Sequence, residues 1–444
     1  MVAAFSAVSF AADTGSNRRL VGGAGAGTIN GALIEAYRNN PQLNAQRAAT
    51  RATDENVPTA LSGYRPRVTG TSSLTEQYLD TLTRAGATPR DGALYNQSAG
   101  SVAVSSFGLT ATQTLFNGFQ TANRTRQAEQ QVFSARETLR TTEQNTLLNA
   151  ATAYMNLLQT AAILELQRSN VNVLEVTLRQ TRDRFTAGEV TRTDVAQAES
   201  RLASGRSQLS QAESNYVTAQ AQYLQVVGTP PPPRLAAAAP VDRLSPRTLD
   251  GAIGRGRSEH PLITTSMYNV DIALQQVKIA EGGLTPTLAA VGVVQKNFGS
   301  TQSLAVLEQL QASVAAQLTV PIYQGGAEYS AIRQAKETLG QRRLDLDTAR
   351  DQVQSQVTQA WGQLEAAKAQ INATQAQVTA AEVALNGVRE EARVGQRTTL
   401  DVLNAQQDLV NARVALVTAQ RDRVVASYTV LAATGALEPV STLV

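Results

Sequence analysis

Carboxylates are the only catalytic side chains that this sequence of 444 residues holds in number, because it has no cysteine and a single histidine, His260. Zinc–thiolate sites, disulfides and cysteine nucleophiles are therefore excluded, and one histidine cannot form a histidine metal cluster. We expect no cofactor and no metal. An acid-based hydrolase would need two carboxylates brought close together.

Two acidic residues occur in the same short motif. Thr191-x-x-Asp194 follows one glycine and Thr398-x-x-Asp401 follows another, at Gly188 and Gly395. A glycine followed by Thr-x-x-Asp is typical of one helix ending and the next beginning with a capping box. These turns are the only places where the sequence brings acids together, and helix capping is the alternative to any chemistry there.

Composition narrows the class of protein further. The 39 basic and 36 acidic residues leave a formal charge of +3, so nucleic acid is not a predicted partner. Of the residues, 42% are hydrophobic, with alanine prominent, and only 5% are aromatic, which favours thin helix contacts over thick globular cores. No stretch reaches the roughly 18 apolar residues of a membrane-spanning helix.

The chain is an internal duplication. Residues 28–33 are matched by residues 248–253, which lie 220 positions further on, and residues 115–118 are matched by 322–325, at an offset of 207. The second offset continues without a gap to the end of both halves. A fixed offset over this length indicates two copies of one structural unit.

We therefore divide the chain into a first repeat, 28–228, a proline-rich linker, 229–247, a second repeat, 248–435, and a tail, 436–444. Each repeat is predicted to contain a helix, a β-hairpin, a long helix and a return helix: hairpin 65–116, long helix 121–187 and return helix 189–227, then hairpin 285–323, long helix 327–394 and return helix 396–435. Residues 1–27 are expected to be the remnant of a secretory leader or a disordered N-terminus.

Alternating apolar and polar residues predict the strands. The pattern runs from Leu310 to Tyr323, with Ser101–Phe116 as its counterpart, and weaker partner strands are predicted at 67–78 and 287–298, with loops at 79–100 and 299–309. One apolar and one polar face on such strands is typical of the outer membrane. Three glycines mark the strand-to-helix turns: Gly118, Gly325 and Gly326.

The helices are too long for a globular domain. Residues 121–187 contain neither glycine nor proline and residues 327–394 contain no proline, so each would form a helix of roughly 100 Å. The return helices cover about 60 Å of that length at the same rise per residue. The helical segments after Pro41 and Pro261 have the length to fill the remainder, as shorter helices stacked end to end.

Four strands cannot close a barrel alone. Lipid does not tolerate open sheet edges, and the smallest outer-membrane barrels have about eight strands. The strands therefore predict that two, three or four copies share one barrel.

Several motifs in both halves resemble the TolC family of outer-membrane efflux and secretion channels, over Thr28 to Gly435: residues 115–118, 151–154, 184–188, 321–326 and 394–403. The resemblance implies a mainly α homotrimer with transmembrane β-structure, in which a shared 12-stranded barrel in outer-membrane lipid continues as a helical tunnel in the periplasm. It implies a passive exit duct for proteins or small molecules, which docks to a periplasmic membrane-fusion adaptor and an inner-membrane transporter, either ABC or proton-driven.

The same resemblance implies a gate at the periplasmic helix tips. Asp401 corresponds to an acidic residue lining the constriction, whereas Asn404 stands where a second acidic residue is common, so cation binding at the mouth should be weaker. Arg397 corresponds to a basic residue that links neighbouring tip helices, and Asp194 with Thr193 corresponds to its partner region.

The tip glycines, Gly188 and Gly395, correspond to those against which the adaptor packs. Plainer interpretations remain for these positions: helix caps for Asp194 and Asp401, a solvated charge for Arg397 and helix C-caps for the glycines. Two rival classes also remain, a periplasmic coiled-coil adaptor of an export system and a carboxylate-based hydrolase.

Overall fold

The computed structural model describes residues 27–88, 92–299 and 308–438. The expected leader therefore lies outside the described residues except for Gly27, as do residues 300–307 of the second hairpin loop and residues 439–444 of the tail.

The elements follow the same order in both halves. The first half contains α1 (Ile29–Asn39), α2 (Pro41–Asp54), α3 (Asn56–Leu61), β1 (Arg67–Thr88), β2 (Gly92–Phe116), α4 (Gln120–Thr186) and α5 (Arg192–Val227). The second contains α6 (Leu249–Glu259), α7 (Pro261–Gly282), β3 (Thr287–Phe298), β4 (Glu308–Thr319), α8 (Ala327–Arg393) and α9 (Thr399–Ala433). Both long helices, α4 and α8, have 67 residues, and the first and last residues of α8 are each 207 positions after those of α4.

The structure adds detail to the predicted elements in three places, two of which correct a predicted boundary. Residues 79–88 and 92–100 are strand rather than loop, because β1 and β2 continue to pair as far as Thr88 and Gly92. The helical segment after Pro41 is divided at Glu55, whereas α7 is continuous. Strand β4 ends at Thr319 rather than Tyr323, and Pro321, which has no backbone N–H to donate, lies two residues further on.

Equivalent residues cap equivalent helices. The Thr28 and Thr248 hydroxyls accept the backbone N–H groups of Gly31 and Gly251 at 3.1 and 3.2 Å. Asn40 caps α2 by accepting from the Leu43 N–H at 3.0 Å, and its counterpart His260 caps α7 through Nδ1, which accepts from the Leu262 N–H at 3.2 Å. A proline follows each of these last two caps, at the helical position that tolerates one.

Each long helix is flanked by shorter helices. Helix α4 packs against α5, α2 and α3, and α8 packs against α9 and α7. Helix α7 also contacts α4, which joins the two halves. The largest buried cluster lies where α1, α4, α5 and α9 meet, around three fully buried tyrosines, Tyr154, Tyr223 and Tyr428. The other clusters are narrow stripes of alanine, valine and leucine between paired helices, such as Ala360, Leu364 and Ala367.

The linker, 229–247, is fixed to this cluster. The Tyr154 hydroxyl lies 2.8 and 2.6 Å from the carbonyl oxygens of Gly27 and Ala236, which bridges the start of the described chain to the linker. The Val241 N–H donates to the Ser427 hydroxyl at 3.1 Å, and Asp242 pairs with Arg423 of α9. A segment without regular helix or strand is thus held by side chains of the helices.

The four strands form one antiparallel sheet in the order β1-β2-β3-β4. Strand β2 joins the two hairpins by pairing with β3, for example Leu109 with Val294. Strands β1 and β4 are the outer strands, so each has one row of backbone groups without a partner strand in the described sheet. Such edges are templates for pairing with another chain.

One face of this sheet is apolar and exposed. Its alternate residues include Leu109, Val294, Leu310, Val314 and Leu318, which keep 48–90% of their surface. The other face carries hydroxyls, including Ser73 and Ser106, whose oxygens are 2.7 Å apart. Among the described helices, none has the length and apolarity needed to cross a membrane.

The strand-to-helix turns use left-handed backbone. Gly118 and Gly325 have φ of 64° and 66°, and Gly326 has 86°, whereas Phe119 adopts 60° at the position equivalent to Gly326. A Cβ at Gly118 would lie 1.7 Å from the Thr285 hydroxyl oxygen, while a Cβ at Gly325 would meet nothing within 4 Å.

Substitution of these two glycines should therefore have unequal effects. Gly325→Ala should cost about 1–2 kcal/mol from the left-handed backbone alone, whereas Gly118→Ala should cost more than about 3 kcal/mol, because a clash with Thr285 is added. Thermal unfolding of the two purified variants followed by circular dichroism gives the comparison. Equal destabilisation would show that close packing at the first turn is unimportant.

His260 should make stability depend on pH. Burial, with a smaller contribution from the Arg140 charge, lowers the pKa of His260 to about 4, so the unfolded chain binds a proton that the folded chain does not as pH falls from about 6.5 to 4. We expect the free energy of unfolding to fall by up to about 3 kcal/mol across that window. The His260→Asn variant reproduces the Asn40 cap without a titrating group. Its free energy of unfolding, measured in urea, should therefore fall much less than that of the wild type between pH 7.5 and 4. Identical losses in both proteins would contradict this assignment.

Candidate functional site at the helix tips

The α4–α5 and α8–α9 hairpins end in the same turn. Gly188 and Gly395 have φ of 75° and 81°, which lets the chain reverse direction after each long helix. In the first turn the Glu189 N–H donates to the Arg184 carbonyl, and in the second the Gln396 N–H donates to the Glu391 carbonyl, both at 2.9 Å. A Cβ at either glycine would meet nothing within 4 Å, so both tips face open space.

Each return helix begins with a complete capping box. Asp194 Oδ2 accepts from the Thr191 N–H at 2.9 Å and from its hydroxyl at 2.7 Å. Asp401 Oδ2 accepts from the Thr398 N–H at 3.0 Å and from its hydroxyl at 2.9 Å. The capping geometry that the motif predicts is therefore present in both halves.

These hydrogen bonds keep both carboxylates ionised. The bond from the Thr191 hydroxyl is the largest cause that lowers the pKa of Asp194, whereas the backbone N–H of Thr398 is the largest cause for Asp401. Each carboxylate is bound within its own cap, which does not favour the hydrolase alternative. Among the described residues, no group of three or more potential ligands could hold a metal ion.

Arg397 is bound within its own tip. Its Nε donates to Glu391 Oε2 at 2.8 Å, and this hydrogen bond is the largest cause that raises the pKa of the guanidinium. In this chain the arginine thus joins the turn to the last part of α8. Its predicted link to a neighbouring tip helix remains a prediction. Sequence analysis missed Glu391, although an acid six residues before an arginine across a glycine turn was a usable signal.

Asn404 joins the two hairpins of the chain. Its Oδ1 accepts from Arg201 Nη2 at 2.6 Å, which links α9 to α5. The preceding residue, Leu403, is 3% exposed and belongs to the buried cluster of the first hairpin, with Leu174 and Leu202 among its members. Sequence analysis missed both Arg201 and Leu403. Thr193 is exposed on the first turn of α5.

A cleft of about 720 Å³ lies between the two tips, and Leu403 is one of its lining residues. Gly395, Asp194 and Arg397 are among its lining residues. Its charged lining residues are Arg184, Arg389, Arg393, Arg397, Glu189 and Asp194. Three of these arginines pair with glutamates: Arg184 with Glu189, Arg393 with Glu390 and Arg397 with Glu391. The tips are therefore joined at Leu403 and Asn404 beside an open cleft whose charges are mostly paired.

Long helical hairpins carried by a sheet with an exposed apolar face are typical of an outer-membrane channel protein. A family model described as "Outer membrane efflux protein" matches residues 32–229 and 253–436. The chain belongs to this family, and the predicted resemblance to TolC channels is confirmed. The protein is accordingly a channel protein of the outer membrane, and its long helices lie in the periplasm.

Individual relatives agree with this membership. The outer membrane efflux protein BepC of Brucella suis is 42% identical over 92% of this chain and 85% of its own length. The outer membrane protein TolC of Escherichia coli is 26% identical over 68% of this chain and 63% of its own length. The solved CmeC outer membrane channel of Campylobacter jejuni has the same fold, with a TM-score of 0.76 at 16% identity over 92% of this chain and 85% of that one.

The tip caps should resist acid. Because folding lowers the pKa of Asp194 and Asp401, their contribution is present above about pH 3.8 and is lost as pH falls through the folded value. Hydrogen exchange in the first turns of α5 and α9 should therefore remain slow, relative to the unfolded chain, at pH 5. In the Thr191→Val variant, hydrogen exchange in the first turn of α5 should become fast at a higher pH than in the wild type. Thr398→Val should have a smaller effect on exchange in the first turn of α9. Equal effects of both variants would refute the assigned causes.

Proposed function

We propose that three copies form the channel and share one barrel of twelve strands, three times the four strands of one chain. The observation that carries this proposal is a sheet whose two outer strands have no partner strand among the described residues and whose apolar face is exposed. Pairing β1 of one copy with β4 of the next satisfies both edges, and closure turns the apolar face toward lipid. The helices below the barrel then enclose a tunnel.

The assembly is a passive exit duct of a tripartite efflux or type I secretion system. Its energy comes from an inner-membrane transporter, ABC or proton-driven, and a periplasmic adaptor docks at the tips around Gly188 and Gly395. The exposed left-handed turns and the open space around them support that docking. The duct passes proteins or small molecules according to the transporter that feeds it.

The tips form the periplasmic gate. Asp401 contributes one carboxylate per protomer, held ionised by its cap, and Asn404 adds no second charge. Arg397, with Asp194 and Thr193, lies at the tips, where neighbouring protomers meet.

A periplasmic adaptor is the alternative that the helices alone would allow. An adaptor has no need of a sheet with exposed Leu310, Val314 and Leu318, which keep 63–90% of their surface. Membrane fractionation separates the two classes. Recovery of the protein in the soluble periplasm without detergent would support the adaptor and contradict the channel.

Loosening the tips should raise conductance. Asp401→Ala removes a cap acceptor and a mouth charge, and Arg397→Gln weakens the bond to Glu391. In planar bilayers, both variants should open more often than the wild type, and Asp401→Ala should also lose cation block. Arg393→Gln is a matched control, because Arg393 pairs with Glu390 on α8, before the turn. Wild-type conductance and cation block in both tip variants would remove the gate assignment.

The transporter can be identified directly. Mild crosslinking in growing cells, followed by purification in detergent and mass spectrometry, should recover an adaptor together with either an ABC or a proton-driven transporter. The class recovered distinguishes protein secretion from small-molecule efflux.

A further inference from the structure

The first hairpin extends beyond the second at the end of the sheet that lies away from the helices. The ladder of β3 and β4 ends at the pair Phe298–Glu308. Its counterpart in the first hairpin, at the repeat offsets of 220 and 207, is the pair Tyr78–Ser101. Strand β1 has 22 residues against the 12 of β3, so the first hairpin continues well past this level.

We call this continuation, residues 79–88 and 92–100, the outer ribbon. Its two strands stay paired with each other as far as Thr88 and Gly92, whereas no described residue of β3 or β4 pairs with them. At 3.3 Å per residue, β1 gains about 33 Å of strand here. An isolated two-stranded hairpin is marginally stable in water, so a further contact would stabilise the outer ribbon.

Aromatic side chains mark the level at which the outer ribbon begins. Tyr78 and Phe298 are equivalent residues on the apolar face, and the ring centroids of Phe298 and Phe107 are 6.2 Å apart. Lys296 pairs with Glu308 beside them. Aromatic girdles flank the apolar band of outer-membrane barrels, and lipid-facing charges are tolerated near its edges. The outer ribbon therefore begins where the hydrocarbon ends, on the side opposite the periplasmic helices.

The length of β3 agrees with this level. In the proposed barrel its 12 residues, at a tilt of about 40°, reach a height of about 30 Å, which is enough to span an apolar band about 25 Å tall. The extra strand of the first hairpin is thus not needed to cross the membrane.

The outward face of the outer ribbon continues the apolar face of the sheet, because side chains alternate along each strand. Its side chains, on the two paired strands, are Asp80, Leu82, Arg84, Tyr95, Gln97 and Ala99. Leu82 and Tyr95 are diagonal neighbours and keep 63% and 60% of their surface. The opposite face carries Leu79 and several hydroxyl side chains, including Thr83. Only the outward face thus combines exposed apolar and charged groups.

The outward face has the chemistry of a saccharide-binding surface. Gln97 Nε2 donates to both carboxylate oxygens of Asp80, at 3.0 and 3.1 Å. A carboxylate and an amide held together in this way offer acceptors and a donor to sugar hydroxyls. The electron-rich face of the Tyr95 ring suits the C–H groups of a sugar ring. Arg84, opposite Tyr95 in the ladder, suits a phosphate or an acidic sugar.

The position of the outward face selects one partner. On a closed barrel this face points away from the barrel axis, so it cannot be covered by the other two copies of the proposed trimer. The layer that continues the hydrocarbon outward on this side of an outer membrane is the saccharide of its glycolipid, lipopolysaccharide. The outward face is continuous with the lipid-facing surface and lies at the height of that saccharide.

We propose that the outward face of the outer ribbon binds the saccharide of outer-leaflet lipopolysaccharide, through Leu82, Tyr95 and the Asp80–Gln97 pair. The proposal rests on the barrel proposed above. The saccharide supplies the contact that a two-stranded ribbon lacks, and each channel holds lipopolysaccharide molecules around its outer rim.

The internal repeat provides a short-loop variant as the first test. Replacing residues 79–100 by residues 299–307 gives the first hairpin the loop of the second and keeps the ladder up to Tyr78–Ser101. After extraction in mild detergent and washing, mass spectrometry should find at least about threefold less lipopolysaccharide per trimer than in the wild type. Conductance in planar bilayers should be unchanged, because the barrel and the helices are intact.

Point variants test which face binds, and they decide the question if the short-loop variant does not reach the outer membrane. Leu82→Ser and Tyr95→Ser change the outward face, whereas Leu79→Ser is the matched control on the opposite face. Surface plasmon resonance on immobilised lipopolysaccharide should show binding weakened about three- to ten-fold in the outward variants and unchanged in the control. The lipid anchor that remains after mild acid removes the saccharide should bind all of these proteins equally.

The topology is tested with single cysteines in a chain that naturally has none. A membrane-impermeant maleimide should label Thr83→Cys in intact cells, whereas Glu189→Cys at the periplasmic tip should be labelled only after permeabilisation.

The outcomes separate this inference from the proposed function. Equal lipopolysaccharide in the wild type and the short-loop variant, or equal weakening by the outward and control variants, would overturn the saccharide contact. Disulfide-linked dimers of Leu82→Cys within a trimer would also overturn it, because the ribbons would then cover one another. Failure to label Thr83→Cys in intact cells, or a wild type that forms no trimer in the outer membrane, would instead overturn the barrel itself.

Discussion

The unpaired backbone of the outer strands is the constraint on which this structure depends. Every N–H and C=O group in lipid must find a partner within protein, and a four-stranded sheet leaves one row of such groups on β1 and another on β4. A helix can satisfy its own backbone, but a strand cannot. In the channel proposed above, other copies of the chain supply the missing partners, and the number of helices around the tunnel follows from the number of chains that close the sheet.

The helical part meets a different requirement. In the proposed tunnel each helix contacts water on its inner and outer sides and is buried only where it touches a neighbouring helix. Alanine-rich contacts such as Ala360, Leu364 and Ala367 suit this arrangement, since they bury little area per residue but repeat along a great length. Larger side chains are concentrated where four helices meet and the linker crosses them. Tyr154 and Tyr428 are fully buried there, and burial raises the pKa of Tyr428 to about 12.

Much of this could be predicted from the sequence because its signals are local and occur twice. The caps at Thr191 and Thr398 depend on residues three positions apart, and the long helices follow from the absence of proline. The continuation of β1 to Thr88 and the start of β2 at Gly92 could not be predicted, because cross-strand backbone pairing maintains these strands where side-chain alternation is weak. Arg201 and Leu403 were missed because each meets its partners about 200 residues away, across two hairpins.

The equal length of α4 and α8 limits how this sequence can change. In the proposed trimer, the six helix tips lie at one level only if every helical column has the same height, so one added turn in a single long helix would tilt the rim. Length can vary freely only where it does not alter that height, in the hairpin loops and the linker. The 13 residues by which the two halves differ fall between residues 66 and 115 of the first half, within its hairpin, where an extra length of strand changes the membrane end of the duct and leaves the opposite end level.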